Sequence, residues 1–308
     1  MRRWTVLLVI ACGVGTALLV RAQAGSEAAA PAPAAPALDP DTAQRLAHWY
    51  SKVGAPRPGE AYGDFVARVA RVQLGMPYHL PPERTGAELM RVDLSHFECV
   101  SLVESSLAVA RCMWAASPDE ACFLREVEAS RYRGGRLDGY ASRLHYFSEW
   151  LSDNAGRDRV TLLTEQLGGL SRPYTFDYIS KHAARYPALA EPGVREAMAA
   201  QEARLSREPQ VTIDRDKVRL VHDELRSGDI VAVVSNRLSG LLIGHTSFVD
   251  RSLPGPPRLM HASSHHQRVI ITPYAVGSYV TNWPDRRGVM LARPRPPKVE
   301  VARSVAQP

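Results

Sequence analysis

The sequence predicts an α+β protein, with helices gathered in the first part of the chain and an antiparallel sheet in the last. Two observations carry this. From Thr42 to about Arg207 apolar residues recur at three- and four-residue intervals, the spacing of one helix face. From about Gln210 the texture changes to short, β-rich runs separated by Gly, Pro and Ser. Helices followed by consecutive strands, rather than alternating with them, give segregated layers and an antiparallel sheet.

Residues 1–24, "MRRWTVLLVIACGVGTALLVRAQA", read as a secretory signal peptide. Arg2 and Arg3 precede an apolar run from Trp4 to Val20, and Ala22-Gln23-Ala24 supplies a small-x-small cleavage site. The chain is therefore expected in the periplasm or outside the cell. The apolar run is near the shortest that spans a bilayer, so an uncleaved leader would serve as a membrane tether. Cys12 falls inside this run and belongs to it. Residues 25–40 form an Ala/Pro-rich linker that cannot build a core, and residues 293–308 read as a disordered tail. Between them, residues 41–292 are long enough for one domain with a sizeable core.

The formal charge is +6, and Arg2, Arg3 and Arg21 are the only charged residues of the leader, leaving +3 on the rest. No Lys/Arg block stands out, so no nucleic-acid partner is expected. A modest positive surface suits an anionic polymer. Hydrophobic residues make up 45 % of the chain, ordinary for a globular protein, and no repeat of solenoid length occurs.

Helical stretches are expected at "DTAQRLAHWYSKV", "GEAYGDFVARVARVQLG", "SHFECVSLVESSLAVARCMW", "CFLREVEAS" and "YASRLHYFSEWLSDN". Strands are expected at "GDIVAVVS", "GHTSFVDR", "RLMHASS", "RVIITP" and "GVMLAR". In the third helix Ser95-His96-Phe97-Glu98 matches the capping box S-x-x-E, with Ser95 as N-cap. Phe97, Val100, Val103, Leu107, Ala110 and Trp114 then follow along one face. Cys99 falls in the first turn, where unsatisfied N–H groups and the helix dipole favour an anion and can lower a thiol pKa. A lone helical cysteine is more commonly inert packing, but cysteine counting argues otherwise here. Outside the leader only Cys99, Cys112 and Cys122 remain, an odd number for an oxidising compartment. Cys99 and Cys112 are about 20 Å apart along one helix, too far to bridge. Cys112 and Cys122 flank a turn between helices and can pair, which leaves Cys99 free.

A nucleophilic thiol needs a base. His245 alternates with Ser247 and Val249 on one strand, and His261 lies near the end of the next, sixteen residues on. Neighbouring antiparallel strands can bring both imidazoles to one face, one to take the thiol proton and the other to orient it. The competing reading is a zinc site from His261, His265 and His266. The i,i+4 spacing of the first two serves a metal best on a helix, and this stretch reads as strand, turn, strand. No cofactor or metal is expected. A wall-binding module without catalysis is the other alternative.

The order of a helix-start cysteine, "GDIVAVV", "GHTSFV" and "LMHASS" resembles the NlpC/P60 cell-wall cysteine peptidases. "LGMPYHL", "ECVSLVES" and "RYRGGRLDGYASRLHYFSEWLSDN" narrow the resemblance to the DUF1460 branch, over most of residues 60 to 290. The resemblance implies a papain-like core, a Cys-bearing helix packed on an antiparallel sheet. It also implies an N-acetylmuramoyl-L-alanine amidase preferring 1,6-anhydro-muramoyl peptides, with peptidoglycan or muropeptide fragments as partners. Cutting within the stem peptide is the alternative. By position Cys99 is the implied nucleophile, His245 the base and His261 the third, orienting residue, with His265 and His266 crowding that third place. Tyr78 matches the tyrosine that reaches the active site in the wider superfamily, and the Cys99 N–H would be an oxyanion donor. Glu98 stands where the family commonly has Asp. The branch-specific element from about Ser130 to Asn154 is expected to read the substrate, Tyr132 and Tyr140 by stacking on sugar and Arg131 or Arg133 by pairing with a carboxylate.

Overall fold

Helix-forming and strand-forming runs fall where the periodicity puts them, with differences at their edges. The computed structural model describes residues 37–82 and 85–298. The leader, the linker through residue 36 and residues 299–308 lie outside the described residues, and with them the expected cleavage site and tether. Among the described residues no helix is long and apolar enough to cross a membrane.

Helix α1 (Pro40–Val53) is capped by Asp39, whose carboxylate accepts from the N–H groups of Asp41 and Thr42, with Pro40 at a position that needs no N–H. Helix α2 (Tyr62–Arg71) packs beside it, and the Trp49 indole N–H donates to Val69 O at 2.9 Å. Helix α3 (Cys99–Trp114) is the centre of the molecule. The sequence suggested one apolar face, but residues Leu102 to Ala110 are all buried, as are Cys112 and Met113. A helix covered all round is a core helix rather than an amphipathic surface one. Helix α4 (Glu120–Arg131) runs beside α3 and is joined to it by a Cys112–Cys122 disulfide with the Cα atoms 5.9 Å apart, leaving Cys99 as the free cysteine among the described residues. Helix α5 (Phe147–Gly156) follows; it starts later than the sequence suggested, because Tyr140–Ser142 forms a separate 3₁₀ turn.

Two short strands, β1 (Val160–Leu162) and β2 (Leu170–Arg172), interrupt the half read as helical. Helices α6 (Tyr178–Lys181) and α7 (Val194–Leu205) complete it. The sheet continues with β3 (Gln210–Asp214), β4 (Ile230–Ser235), β5 (Ile243–Asp250), β6 (Arg258–Ser263) and β7 (Arg268–Ala275). After helix α8 (Val276–Thr281) the chain closes with β8 (Arg286–Pro294). The strand order is β2-β3-β8-β4-β5-β6-β7, with β1 pairing β8 from the side, and every pairing is antiparallel. The tail boundary at residue 293 is corrected by this arrangement. Val160 pairs with Pro294 and the Arg295 N–H donates to Arg159 O, so the ladder holds the chain past that point.

Strand alternation sorts the core into two sides. Ile230, Ala232, Val234, Phe248, Met260 and Ala262 face the helical layer. Val231, Val233, Val249, Leu259, Val289 and Leu291 face the other way, against Val218, Val221, Val276 and Val280. Burial on both faces explains why β4 reads as a continuous apolar run instead of an alternating one.

Candidate active site

The site begins at the start of α3. Ser95 is not its N-cap: the Ser95 hydroxyl and N–H both donate to Asp93 Oδ1, at 2.6 and 2.7 Å. The chain stays extended through Phe97, whose N–H donates to Pro77 O and whose carbonyl accepts from the His79 N–H. Glu98 is the cap. Its carboxylate accepts from the Val100 and Ser101 N–H groups, and the Ser101 hydroxyl accepts from the Glu98 N–H at 3.0 Å, a capping box set three residues later than the sequence suggested. Cys99 is therefore the first helical residue. The same Phe97 pairing carries Tyr78 alongside, in a parallel bridge with Phe97.

Half-buried Cys99 does not have the acidified thiol expected at a helix start. Burial first and the Glu98 carboxylate second push its pKa up, while the Thr246 N–H pulls the other way. The cap adds to burial: the first-turn amides that would stabilise a thiolate already hold a carboxylate.

Strands β5 and β6 pair from Asp250↔Arg258 to Phe248↔Met260 and then part, while β6 continues on β7. The Thr246 N–H, beyond that last pair, reaches the Cys99 sulfur. His245 and His261 lie across the gap on the two parting strands, with His245 Nε2 2.7 Å from His261 Nδ1 and the rings edge to face. Tyr279 of α8 is packed against both, its ring centroid 5.4 Å from His261 and 6.3 Å from His245. Burial first, then Cys99, raise the pKa of Tyr78; burial also raises that of Tyr279, with Arg286 pulling it down and Cys99 pushing it up. Two imidazoles and the Tyr279 phenol thus meet at the gap, and the Cys99 thiol is under the influence of the Thr246 N–H next to His245. Burial, then His261 and Arg286, hold His245 well below the ordinary histidine range, and burial, then Arg286 and His266, lower His261 to about 4. Both imidazoles are neutral at physiological pH.

The third place, which three histidines competed for, has one occupant in contact with His245. His265 and His266 pack on each other, and His266 Nδ1 sits 3.1 Å from the Ser263 hydroxyl. Among the described residues no three His, Cys, Asp or Glu side chains are grouped to hold a metal ion.

In the Ser130–Asn154 element the four side chains named for substrate recognition are engaged within the fold. Arg131 is 5 % exposed; it donates to the Glu104 carboxylate at 2.8 Å and to Arg91 O at 2.7 Å. Tyr132 is fully buried with its hydroxyl on Glu88, and Tyr140 is buried against the His145 ring. Arg133 pairs with Glu149 and Ala141 O. Each of these side chains has a partner elsewhere in the fold, and none lines the cavity beside the histidines. Sequence reasoning missed the residues that do. Tyr279, Trp283, Asp285 and Arg286 line a cavity of about 510 Å³ together with His245 and His261. Their signal was present in "GSYVTNWPDRRG", aromatic and charged residues crowded between two strand-like runs.

The fold is similar to those of several solved proteins. A solved N-acetylmuramoyl-L-alanine amidase from Bacteroides uniformis superposes with a TM-score of 0.70 at 24 % identity, over 76 % of this chain and 99 % of that one. A Bacteroides fragilis protein named as a xylanase gives a TM-score of 0.67 at 26 % identity, over 73 % and 98 %. A Legionella pneumophila protein of the DUF1460 family gives 0.61 at 14 %, over 83 % and 95 %. No curated protein matches the sequence. A family model described as AmiA-like, N-acetylmuramoyl-L-alanine amidase-like, matches residues 68–289, and the chain belongs to that family.

Proposed function

We propose that the protein is an exported cysteine amidase that hydrolyses the amide between N-acetylmuramic acid, including its 1,6-anhydro form, and L-alanine in peptidoglycan fragments. The reading also takes the core as papain-like, of the NlpC/P60 type. The observations that carry it are a free thiol at the start of α3, with the Thr246 N–H of β5 acting on it, and a linked pair of histidines on β5 and β6.

The linked pair assigns the protons. For His245 to act as base through Nδ1, its Nε2–H donates to His261 Nδ1, and His261 keeps its own proton on Nε2. With a raised thiol and a lowered imidazole the pair rests neutral, so the thiol proton moves to His245 as sulfur attacks the carbonyl carbon. The Cys99 N–H and the Tyr78 hydroxyl are the donors available to the developing oxyanion. Collapse breaks the C–N bond; His245 returns its proton to the departing alanine nitrogen, and the muramoyl group stays on sulfur as a thioester. Water, deprotonated by His245, then releases the acid and restores the thiol. Glycoside hydrolysis fits the site less well, since it needs two carboxylates flanking the bond, and Glu98 is committed to its cap. The Cys112–Cys122 bridge supports location in an oxidising compartment.

The test is mass spectrometry of digested muramoyl and anhydro-muramoyl peptides. Intact peptides beginning with L-alanine are expected, together with free muramic acid species. Cys99→Ala should abolish turnover, by up to roughly 10⁶-fold. Products that keep muramoyl-L-alanine would move the cut into the stem peptide, and a Cys99→Ala protein with a tenth of normal activity would end the cysteine mechanism.

A further inference from the structure

In thiol cleavage of an amide the two halves of the substrate part in known directions. The acyl half stays on sulfur, and the amine half leaves with the proton that the imidazole returns. The leaving half therefore lies on the histidine side of the scissile bond. The 510 Å³ cavity occupies that side. It is lined by His245 and His261 and extends past them to Tyr279, Trp283, Asp285 and Arg286, and neither Cys99 nor Tyr78 lines it. A cavity of this size takes a short peptide.

Its charge is informative. The Arg286 guanidinium lies 3.7 Å over the Tyr279 ring and 5.0 Å from the Trp283 ring, and donates to Tyr279 O. Among the described residues it forms no ion pair with a carboxylate, whereas Arg293 pairs with Asp229 and Arg172 with Asp214. Asp285, the one acidic residue lining the cavity, accepts from the Ser235 hydroxyl at 3.4 Å. Exposed Arg237 adds a second cation at the wall. An arginine fixed between two rings, with donors left over, is a preorganised carboxylate receptor.

We infer that this cavity receives the peptide leaving group and that Arg286 binds a carboxylate on the residue following L-alanine, so that the enzyme selects acidic peptides. The inference rests on the amidase reading above. It moves substrate recognition from the Ser130–Asn154 element to the loop between α8 and β8.

The experiment compares two substrates with the same sugar, N-acetylmuramoyl-L-alanyl-D-glutamic acid and its diamide, on the wild-type protein and on Arg286→Gln. Wild type should open the acid at least tenfold more efficiently than the diamide, chiefly through KM. Arg286→Gln should lower kcat/KM for the acid at least five times more than for the diamide, and Arg286→Lys should recover part of that difference. Equal wild-type rates on both substrates overturn the inference while leaving the amidase reading intact, and this comparison needs no variant to fold. An equal loss on both substrates in Arg286→Gln also overturns it, since Arg286 would then only support Tyr279. If wild type opens neither substrate, the amidase reading falls and takes the inference with it.

Discussion

His245 and His261 are joined by a 2.7 Å contact, Nε2 to Nδ1, between strands that have already stopped pairing. The contact sets ring orientation and tautomer without adding a charge, because both imidazoles are held neutral by burial. Replacing His261 with Ala frees the His245 ring to turn, and a misplacement of about 1 Å in such a site costs about 10²-fold. We expect kcat/KM for His261→Ala to fall by about that factor, with partial recovery in His261→Gln, whose amide oxygen can accept the same proton. Activity unchanged in His261→Ala would remove His261 from the site.

The pH dependence follows from the directions of the shifts. A depressed histidine pKa keeps the base neutral, hence competent, further into acid. The acidic limb of kcat/KM should therefore lie below pH 6.5, the ordinary histidine value, in the direction of the value of about 4 at its partner His261. The raised Cys99 pKa predicts that alkylation of the free protein by iodoacetamide accelerates through the alkaline range, with no plateau between pH 5 and 7. A plateau there would reveal a thiolate–imidazolium pair instead.

The Cys112–Cys122 bridge closes a loop with a sequence separation of 10. Chain entropy for a loop of that length gives about 3 kcal/mol of stabilisation. The double variant Cys112→Ala/Cys122→Ala should lose about that much in denaturant unfolding, and alkylation of the unreduced, unfolded protein prepared without residues 1–24 should modify one thiol, Cys99. Three modified thiols would show that the bridge does not form.

Arg131 separates the two readings of the Ser130–Asn154 element. Its partner Glu104 is 4 % exposed, so Arg131→Ala strands a buried carboxylate and should cost about 3–5 kcal/mol. The KM of the folded variant, measured well below its melting temperature, should stay within about threefold of wild type. A large KM effect with unchanged stability would return the residue to the substrate.

How much of this was legible in the chain itself depends on the range of the interaction. Period-two alternation in residues 245–249 and 258–263 placed both histidines on one side of adjacent strands, and spacing alone paired Cys112 with Cys122. These readings depend on neighbours a few residues away. The capping box at Ser95 was misread because a match in sequence does not show that the Ser95 hydroxyl prefers Asp93, or that Phe97 is tied to Pro77 twenty residues upstream. The same holds for the thiol, whose pKa depends on which anion occupies the helix start.

The sequence by itself determined the α+β class, the order of helices and strands, the free cysteine and the histidine pair, all written in periodicity and residue type. Only the tertiary structure decided that α3 is buried on every side, that the arginines and tyrosines of residues 131–140 face inward, and that Tyr279 and Arg286 wall the cavity. Burial of an arginine depends on whether packing brings a carboxylate to it. Glu104 does this for Arg131 across 27 residues of chain, and none among the described residues does it for Arg286.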